Sequence, residues 1–183
     1  MFTIVMRGNG IDYMGLFYRR LLKIQLSLKR MLHSASYMKT YNRCLRAYGV
    51  DIQGNVKFIH PSVYIDLGYA NMISIGDNCV ISVNTIILAH DFALECGMAS
   101  IGMENLENEK KTVNNVHLGE NVFVGAGCII LPGTHIGDNC IIGAGTVCTG
   151  EIPDNSIVVG EKWKVIGKTT EWIQKKLDEE RDK

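Results

Sequence analysis

The sequence carries no net charge: 19 Lys and Arg stand against 19 Asp and Glu in 183 residues. That balance argues against a nucleic-acid partner, because binding a polyanion draws on a surplus of cations. No apolar run is both long enough to span a bilayer and free of charge. The apolar opening from Phe2 to Met6 is too short for a signal peptide and runs into Arg7. Six cysteines are present, yet none forms a Cys-x-x-Cys pair, so zinc ribbons and dithiol redox motifs are excluded. Cys79, Cys128, Cys140 and Cys148 instead occupy positions suited to compact apolar fillers. Free thiols imply a reducing compartment, and a cytoplasmic location is expected.

Gly and Pro are missing from residues 16 to 48. There Phe17, Leu21, Ile24, Leu28 and Met31/Leu32 recur at helical spacing, with Arg19, Arg20, Lys23, Lys29 and Arg30 between them. The pattern predicts an amphipathic basic helix, broken near Ser34 to Ser36 and resumed to Tyr48, with Gly49 as its stop. The first 48 residues hold nine basic side chains against Asp12 alone. Two readings stay open: a helical cap on a neighbouring domain, or peripheral attachment of residues 12–48 to an anionic membrane surface.

What the sequence has in abundance is a period of six. From Leu118 to Pro153 it reads LGENVF, VGAGCI, ILPGTH, IGDNCI, IGAGTV, CTGEIP. The opening places are Leu118, Val124, Ile130, Ile136, Ile142 and Cys148. Four places on stand Val122, Cys128, Thr134, Cys140, Thr146 and Ile152. Asn121, Gly127, Gly133, Asn139 and Gly145 fill the position between, and these residue types tolerate positive φ most readily. A regular turn every six residues predicts a β-solenoid whose stacked coils bury one continuous column. Upstream, Ile52, Phe58 and Tyr64 keep the beat, with Val56, Ser62 and Gly68 four behind. Tyr64 to Ile75 is eleven residues rather than twelve, so an irregular turn is expected there. Ile75, Ile81 and Ile87 resume the pattern, with Asn78, Asn84 and then His90 in the turn column. A His where every neighbouring turn uses Gly or Asn suggests use rather than packing. Residues 93–111 then leave the rhythm, which returns in phase at Thr112. Either function or a tolerated insertion accounts for such an excursion.

The motifs IGDN, VGAG and IPDNS at this spacing resemble the left-handed β-helix hexapeptide-repeat acyltransferases, over roughly residues 50 to 166. The resemblance implies an all-β solenoid with three hexads to a triangular coil, wound left-handed. Parallel crossovers in general would favour the opposite hand. The organisation expected is a basic helical region at 1–49, the solenoid at 50–168 and a short charged helix at 169–183 presenting Trp172, Ile173 and Leu177. The resemblance further implies a homotrimer with acetyl-CoA, the acyl donor, in the groove between adjacent solenoids. The matching positions are Gly125, Ala126, Gly143, Ala144 and Thr149, though Gly and Ala equally serve the turns alone. This chain departs from the family after the last coil. Gly160, Glu161, Lys162, Trp163 and Lys164 replace its Asn-Pro-Ala and basic residue, and Gly150 and Glu151 follow Thr149 where a base is usual. Lys162, Lys164 and Lys168 are substitutes for phosphate contacts on charge alone.

Acyl transfer from a thioester needs a base for the acceptor proton and a donor for the oxyanion. Imidazole suits the base role near neutrality. The Ile-Leu-Ala-His-Asp segment resembles the ILTHD segment of sugar O-acetyltransferases, whose His is the base, which makes His90 the candidate. Asp91 or Asn84 is the candidate to orient it. His33 reads as a surface residue, and His60 precedes Pro61 in an early turn. His117 and His135 are 18 residues apart and so stack one coil apart. The expected function is acetyl transfer to a sugar hydroxyl in surface or capsular polysaccharide assembly, with the inner membrane face as one setting. Serine and antibiotic acetyltransferases are alternatives of the same chemistry. A zinc hydrase similar to γ-class carbonic anhydrase, using His90, His117 and His135, and a non-catalytic trimeric scaffold are alternatives of another kind.

Overall fold

The computed structural model describes residue 21, residues 37–93, residue 95, residues 111–160, residues 164–168 and residue 171. Helix Tyr37–Tyr48 leads into a solenoid of very short strands. These strands stack in register into three parallel sheets, the faces of a prism. The first face comprises Asp51–Ile52, Ile73–Ile75, Val116–Leu118, His135–Ile136 and Glu151–Ile152. The second comprises Phe58–Ile59, Val80–Ile81, Phe123–Val124, Ile141–Ile142 and Ser156–Val159. The third comprises Tyr64–Ile65, Ile86–Ile87, Ile129–Ile130 and Val147–Cys148.

In each strand one side chain points inward and its neighbour outward, as the two-residue period of a strand requires. The inward stacks are Ile52, Ile75, Leu118, Ile136 and Ile152; Ile59, Ile81, Val124, Ile142 and Val158; and Ile65, Ile87, Ile130 and Cys148. Burying each large aliphatic contributes about 1.5–3 kcal/mol. Cys79, Val122, Cys128 and Cys140 fill the space inside the corners, along with Thr85, Thr134 and Thr146. The buried threonine hydroxyls donate to corner carbonyls, Thr134 to Leu131 at 2.6 Å and Thr146 to Gly143 at 2.7 Å, so no hydroxyl is left stranded.

The turn column behaves as the repeat requires. Asn78, Asn84, Asn121 and Asn139 have φ of 55–57°, and Gly127, Gly133 and Gly145 lie at 67–80°. His90 is the exception. It is not among the residues with positive φ but forms an extended bridge, His90–Asp91 pairing antiparallel with Thr112–Val113. His90 therefore bears no turn strain, contrary to its place in the turn column; this segment is the neck of the excursion.

Two further expectations of phase are corrected. Phe58 and Tyr64 point outward and are exposed, whereas Ile59 and Ile65 are buried. The cause is one extra residue in the corner after Ile52, where Gly54 takes φ of 68°. Val63, not Ser62, is consequently the inward corner residue, and Gly68 falls in the 3-10 segment Leu67–Met72 that replaces the next corner. Ile152 belongs to the main aliphatic stack rather than the corner column, because it pairs with Ile136 after a last coil shortened by two residues.

Both ends of the prism are closed. Coil amides donate to carbonyls of the following coil, as Gln53 N–H does to Ile75, so the carbonyls of the first coil face away from the stack. The helix answers them. Tyr37 donates to Ile59, Asn42 to Val56, and Arg46 to Ile52 and Gly54. Gly49 ends that helix with φ of 103°, as its sequence implies. At the other end Lys164–Lys168 pairs antiparallel with Ser156–Val159 and covers the last edge. The earlier helical piece lies outside the described residues, as does the C-terminal helix apart from Glu171. No described helix is long and apolar enough to cross a membrane.

Two glycines separate the turn requirement from the stacking requirement. A Cβ on Gly127 meets nothing within 4 Å, so Gly127→Ala carries only the left-handed penalty and is expected to cost about 1–2 kcal/mol in urea unfolding. A Cβ on Gly76 runs into the backbone carbonyl of Gly119 in the next coil, so Gly76→Ala is expected to cost more than Gly127→Ala. Burial pushes the thiols of Cys79 up to about 11 and Cys148 up to about 12. A raised value means a protonated thiol at pH 8, and these two side chains are expected to resist iodoacetamide until denaturant is added, as read by peptide mass spectrometry.

Candidate functional site

The edge between the third and first faces is the least regular part of the prism. There the 3-10 segment replaces a corner in one coil, and the neck of the excursion replaces it in the next. His90 stands in that neck. Its Nδ1 hydrogen-bonds the carboxylate of Asp66, the residue directly after inward Ile65. Asp66 is 3% exposed and also accepts the amide N–H of Ala89 at 3.2 Å. An ionised carboxylate at Nδ1 fixes the proton there and leaves the Nε2 lone pair as the acceptor. The ring is further held by Tyr69, 4.4 Å away between centroids, and by the edge of Phe92 at 5.6 Å. Lys111 Nζ lies 5.4 Å from the Tyr69 ring. The imidazole remains 25% exposed, so it is immobilised and reachable at once.

The residues expected to orient His90 do other things. Asp91 accepts the amide of Ala93 at 2.9 Å within its own loop. Asn84 occupies a left-handed turn on a different edge, between the second and third faces, where its amide donates to Ser62 Oγ. Sequence reasoning missed Asp66, 24 residues before its partner. The available signal was the irregular spacing between Tyr64 and Ile75, which marks the one corner where a carboxylate faces the neck.

The positions matched to a donor cofactor also separate by edge. Gly125–Ala126 and Gly143–Ala144 share the edge of Asn84 in successive coils, joined by the amide of Gly145 donating to Ala126 at 2.8 Å. Ala144 is exposed, whereas Gly125 is buried and Ala126 and Gly143 are half-buried, so the edge is open at Ala144. Thr149 is exposed on the edge that carries His90, in the last full coil. Lys164 pairs through its backbone with Val159, and Lys168 is exposed opposite Ser156. Lys162 lies outside the described residues.

His117 and His135 are neighbours on the outside of the first face, their rings 6.1 Å apart. His117 Nδ1 shares a hydrogen bond of 2.7 Å with Ser74 Oγ. The imidazole of His90 turns instead to Asp66. Among the described residues no three His, Cys, Asp or Glu side chains are grouped as metal ligands. The outward rows of the three faces differ in kind. The first is Asp51, Ser74, His117, His135, Glu151; the second is Phe58, Val80, Phe123, Ile141, Ile157; the third is Tyr64, Ile86, Ile129, Val147.

Known proteins share these features. The family of bacterial transferase hexapeptides (six repeats) matches residues 115–150, and the hexapeptide repeat of succinyl-transferases matches residues 73–89. YvoF of Bacillus subtilis, named as a candidate acetyltransferase, is 31% identical over 112 residues, covering 61% of this chain but only 56% of that relative. WbbJ of Escherichia coli, named for O-acetyl transfer in lipopolysaccharide biosynthesis, is 27% identical over 57% of this chain and 55% of its own. A Saccharomyces cerevisiae protein named as a candidate acetyltransferase is 30% identical over 168 residues, 82% of this chain and 85% of that one. Among solved structures, a galactoside acetyltransferase in complex with coenzyme A superposes with a TM-score of 0.59 at 22% identity, covering 90% and 88% of the two chains. A maltose O-acetyltransferase from Clostridium difficile 630 gives 0.52 at 25% identity, covering 86% and 89%. The left-handed winding expected of the solenoid rests on these neighbours. The repeats, the three-sided coil and the likeness to the yeast relative along most of both chains show that this protein belongs to the hexapeptide-repeat acetyltransferases.

Proposed function

We propose that the protein transfers an acetyl group from acetyl-CoA to a hydroxyl of a saccharide, with His90 as general base. The observation that carries this reading is the His90–Asp66 pair at an open edge of the prism. His90 Nε2 takes the proton of the acceptor hydroxyl as its oxygen attacks the thioester carbonyl. A backbone N–H of a neighbouring corner stabilises the oxyanion. Collapse of that intermediate expels the thiolate of CoA, which recovers the proton from the imidazolium. Asp66 acts through His90, holding the tautomer and stabilising the charge the ring acquires. Cys79, Cys128, Cys140 and Cys148 take no part, since burial raises each of them and keeps it a neutral thiol.

The site is completed by a second protomer. The donor-matching edge of Gly125 and Gly143 and the base-bearing edge of His90 are different edges of one prism, with the third face between them. Two of the three faces turn wholly apolar rows outward, and Phe123 and Tyr64 in them are 42% and 54% exposed. Such surface is normally covered by association. A ring of three chains packing these faces brings the His90 edge of one chain to the donor edge of the next. The acceptor class follows from the sugar and lipopolysaccharide acetyltransferases to which the chain is similar. Surface or capsular polysaccharide is the setting, in the cytoplasm, with Arg19, Arg20, Lys23, Lys29 and Arg30 meeting the inner membrane face while the helix Tyr37–Tyr48 caps the prism.

Release of free CoA thiol is the test, with acetyl-CoA offered to sugars, nucleotide sugars, serine and small drugs. Transfer to saccharides alone is expected; release with serine or drugs alone overturns the acceptor assignment. His90→Ala is expected to lower kcat by roughly 10²–10⁴ with the trimer intact. Asp66→Asn, which offers an amide where the carboxylate stood, is expected to lower kcat by at least about tenfold while KM for acetyl-CoA stays near wild type. Phe123→Glu places charge in the apolar row; sedimentation is expected to show monomers that keep β-rich circular dichroism and lose turnover.

A further inference from the structure

The first face bears a cleft of about 300 Å³ that the acetyl-transfer chemistry does not use. Asp51, Asn71, Ser74, Asn115, His117 and His135 form its polar lining, and Met72 and Ile73 supply an apolar part. That volume sits at the lower end of ligand pockets, room for about one sugar ring. The described lining holds no Lys or Arg, and Asp51 repels anions, so phosphates and carboxylates do not fit. Nor does it present an aromatic wall for a drug-like ligand. It offers groups that both donate and accept: two amides, a hydroxyl and two imidazoles. Vicinal hydroxyls of a neutral sugar match such groups in both directions. The hydrogen bond of 2.7 Å between Ser74 Oγ and His117 Nδ1 orients that ring and leaves its Nε2 for a ligand.

The cleft adjoins the His90 site through two shared segments. The 3-10 segment supplies Tyr69 to the imidazole and Asn71 to the cleft. The strand Thr112–Val113 places Val113 opposite His90, and Asn114 donates to Ala89 at 3.0 Å. Asn115 follows two residues after Val113. Chain geometry limits its Cα to within about 12 Å of that of His90, short enough for joined sugar rings to span. In a trimer built on the two apolar faces the polar first face would lie on the outside.

We propose that this cleft is a second saccharide subsite, holding the sugar adjacent to the one whose hydroxyl meets His90. The proposal rests on the saccharide reading of that site. It is tested with lactose, maltose and chitobiose against the methyl glycosides of their component sugars, acetyl-CoA being the donor. At least one disaccharide is expected to be acetylated with a higher kcat/KM than its methyl glycoside. Asn71→Ala and Asn115→Ala are each expected to lower the disaccharide kcat/KM about tenfold through KM, leaving kcat and KM for acetyl-CoA within about twofold. If both variants handle the disaccharide as the wild type does, the subsite is refuted and saccharide acetylation stands. If the wild-type enzyme acetylates no saccharide but another acceptor, the saccharide reading fails and the subsite falls with it. Should either variant misfold, NMR of the folded His90→Ala protein decides. Titrating in the disaccharide is expected to shift the ring protons of His117 and His135; unmoved resonances overturn the proposal.

Discussion

Each inward aliphatic side chain rests on the one in the coil below, and the rest of the molecule follows from keeping that contact. A strand of two residues has no stability of its own. Ordering its backbone costs about 1–2 kcal/mol per residue, a sum recovered only when the inward side chain is sandwiched between coils. Ile136 between Leu118 and Ile152 is such a case. Register is therefore strict, and every corner must turn the chain by the same amount. Asn121, Gly127 and Asn139 supply that turn by standing in the left-handed region. The two places where stacking must end are the two places where other structure takes over the exposed backbone, the helix Tyr37–Tyr48 and the strand Lys164–Lys168.

A prism this regular offers flat faces and no chemistry, so the site arises where regularity lapses. The corner after Ile65 is rebuilt as a 3-10 segment, which brings Tyr69 over the ring of His90, while Asp66 before it meets Nδ1. One coil later the same edge opens into the neck of the excursion and carries His90 itself. The two irregularities interlock: the carboxylate of one accepts hydrogen bonds from the ring and the amide N–H of the other. A buried Asp without those donors would be costly, which ties the orientation of the ring to the local fold.

The solenoid was legible because its signal is repeated. Six consecutive hexads from Leu118 agree with one another, and the residues they place inward are buried, Ile152 among them although in the main stack rather than the corner column. The first coil was misread at Phe58 and Tyr64 because one inserted residue near Gly54 shifts the phase, and Phe58–Ile59 and Tyr64–Ile65 are both apolar pairs. Spacing alone cannot say which member of such a pair faces inward. The end of the last coil misled in the same way at Ile152. The sequence marks His90 through the resemblance of Ile-Leu-Ala-His-Asp to the sugar O-acetyltransferase segment, but its backbone forms an extended bridge rather than a turn, and Asp66 rather than Asp91 or Asn84 meets its ring. Asp91 adjoins His90 in sequence and points into its own loop; Asp66 is remote in sequence and adjacent in space. A partner that arrives through stacking of one coil on another leaves no trace beside His90 in the sequence; its mark is the irregular spacing between Tyr64 and Ile75.

The central claim is that one working site combines the His90 edge of one chain with the Gly143–Ala144 edge of the next. Subunit mixing tests this most directly. A His90→Ala chain lacks the base, and an Ala144→Trp chain blocks the donor edge at an exposed position. Each alone is inactive on this account. Denatured together in equal amounts and refolded into mixed trimers, they regain about a quarter of wild-type CoA release, because a quarter of the seams pair an intact base with an intact donor edge. Mixed trimers that form and stay inactive would contradict it.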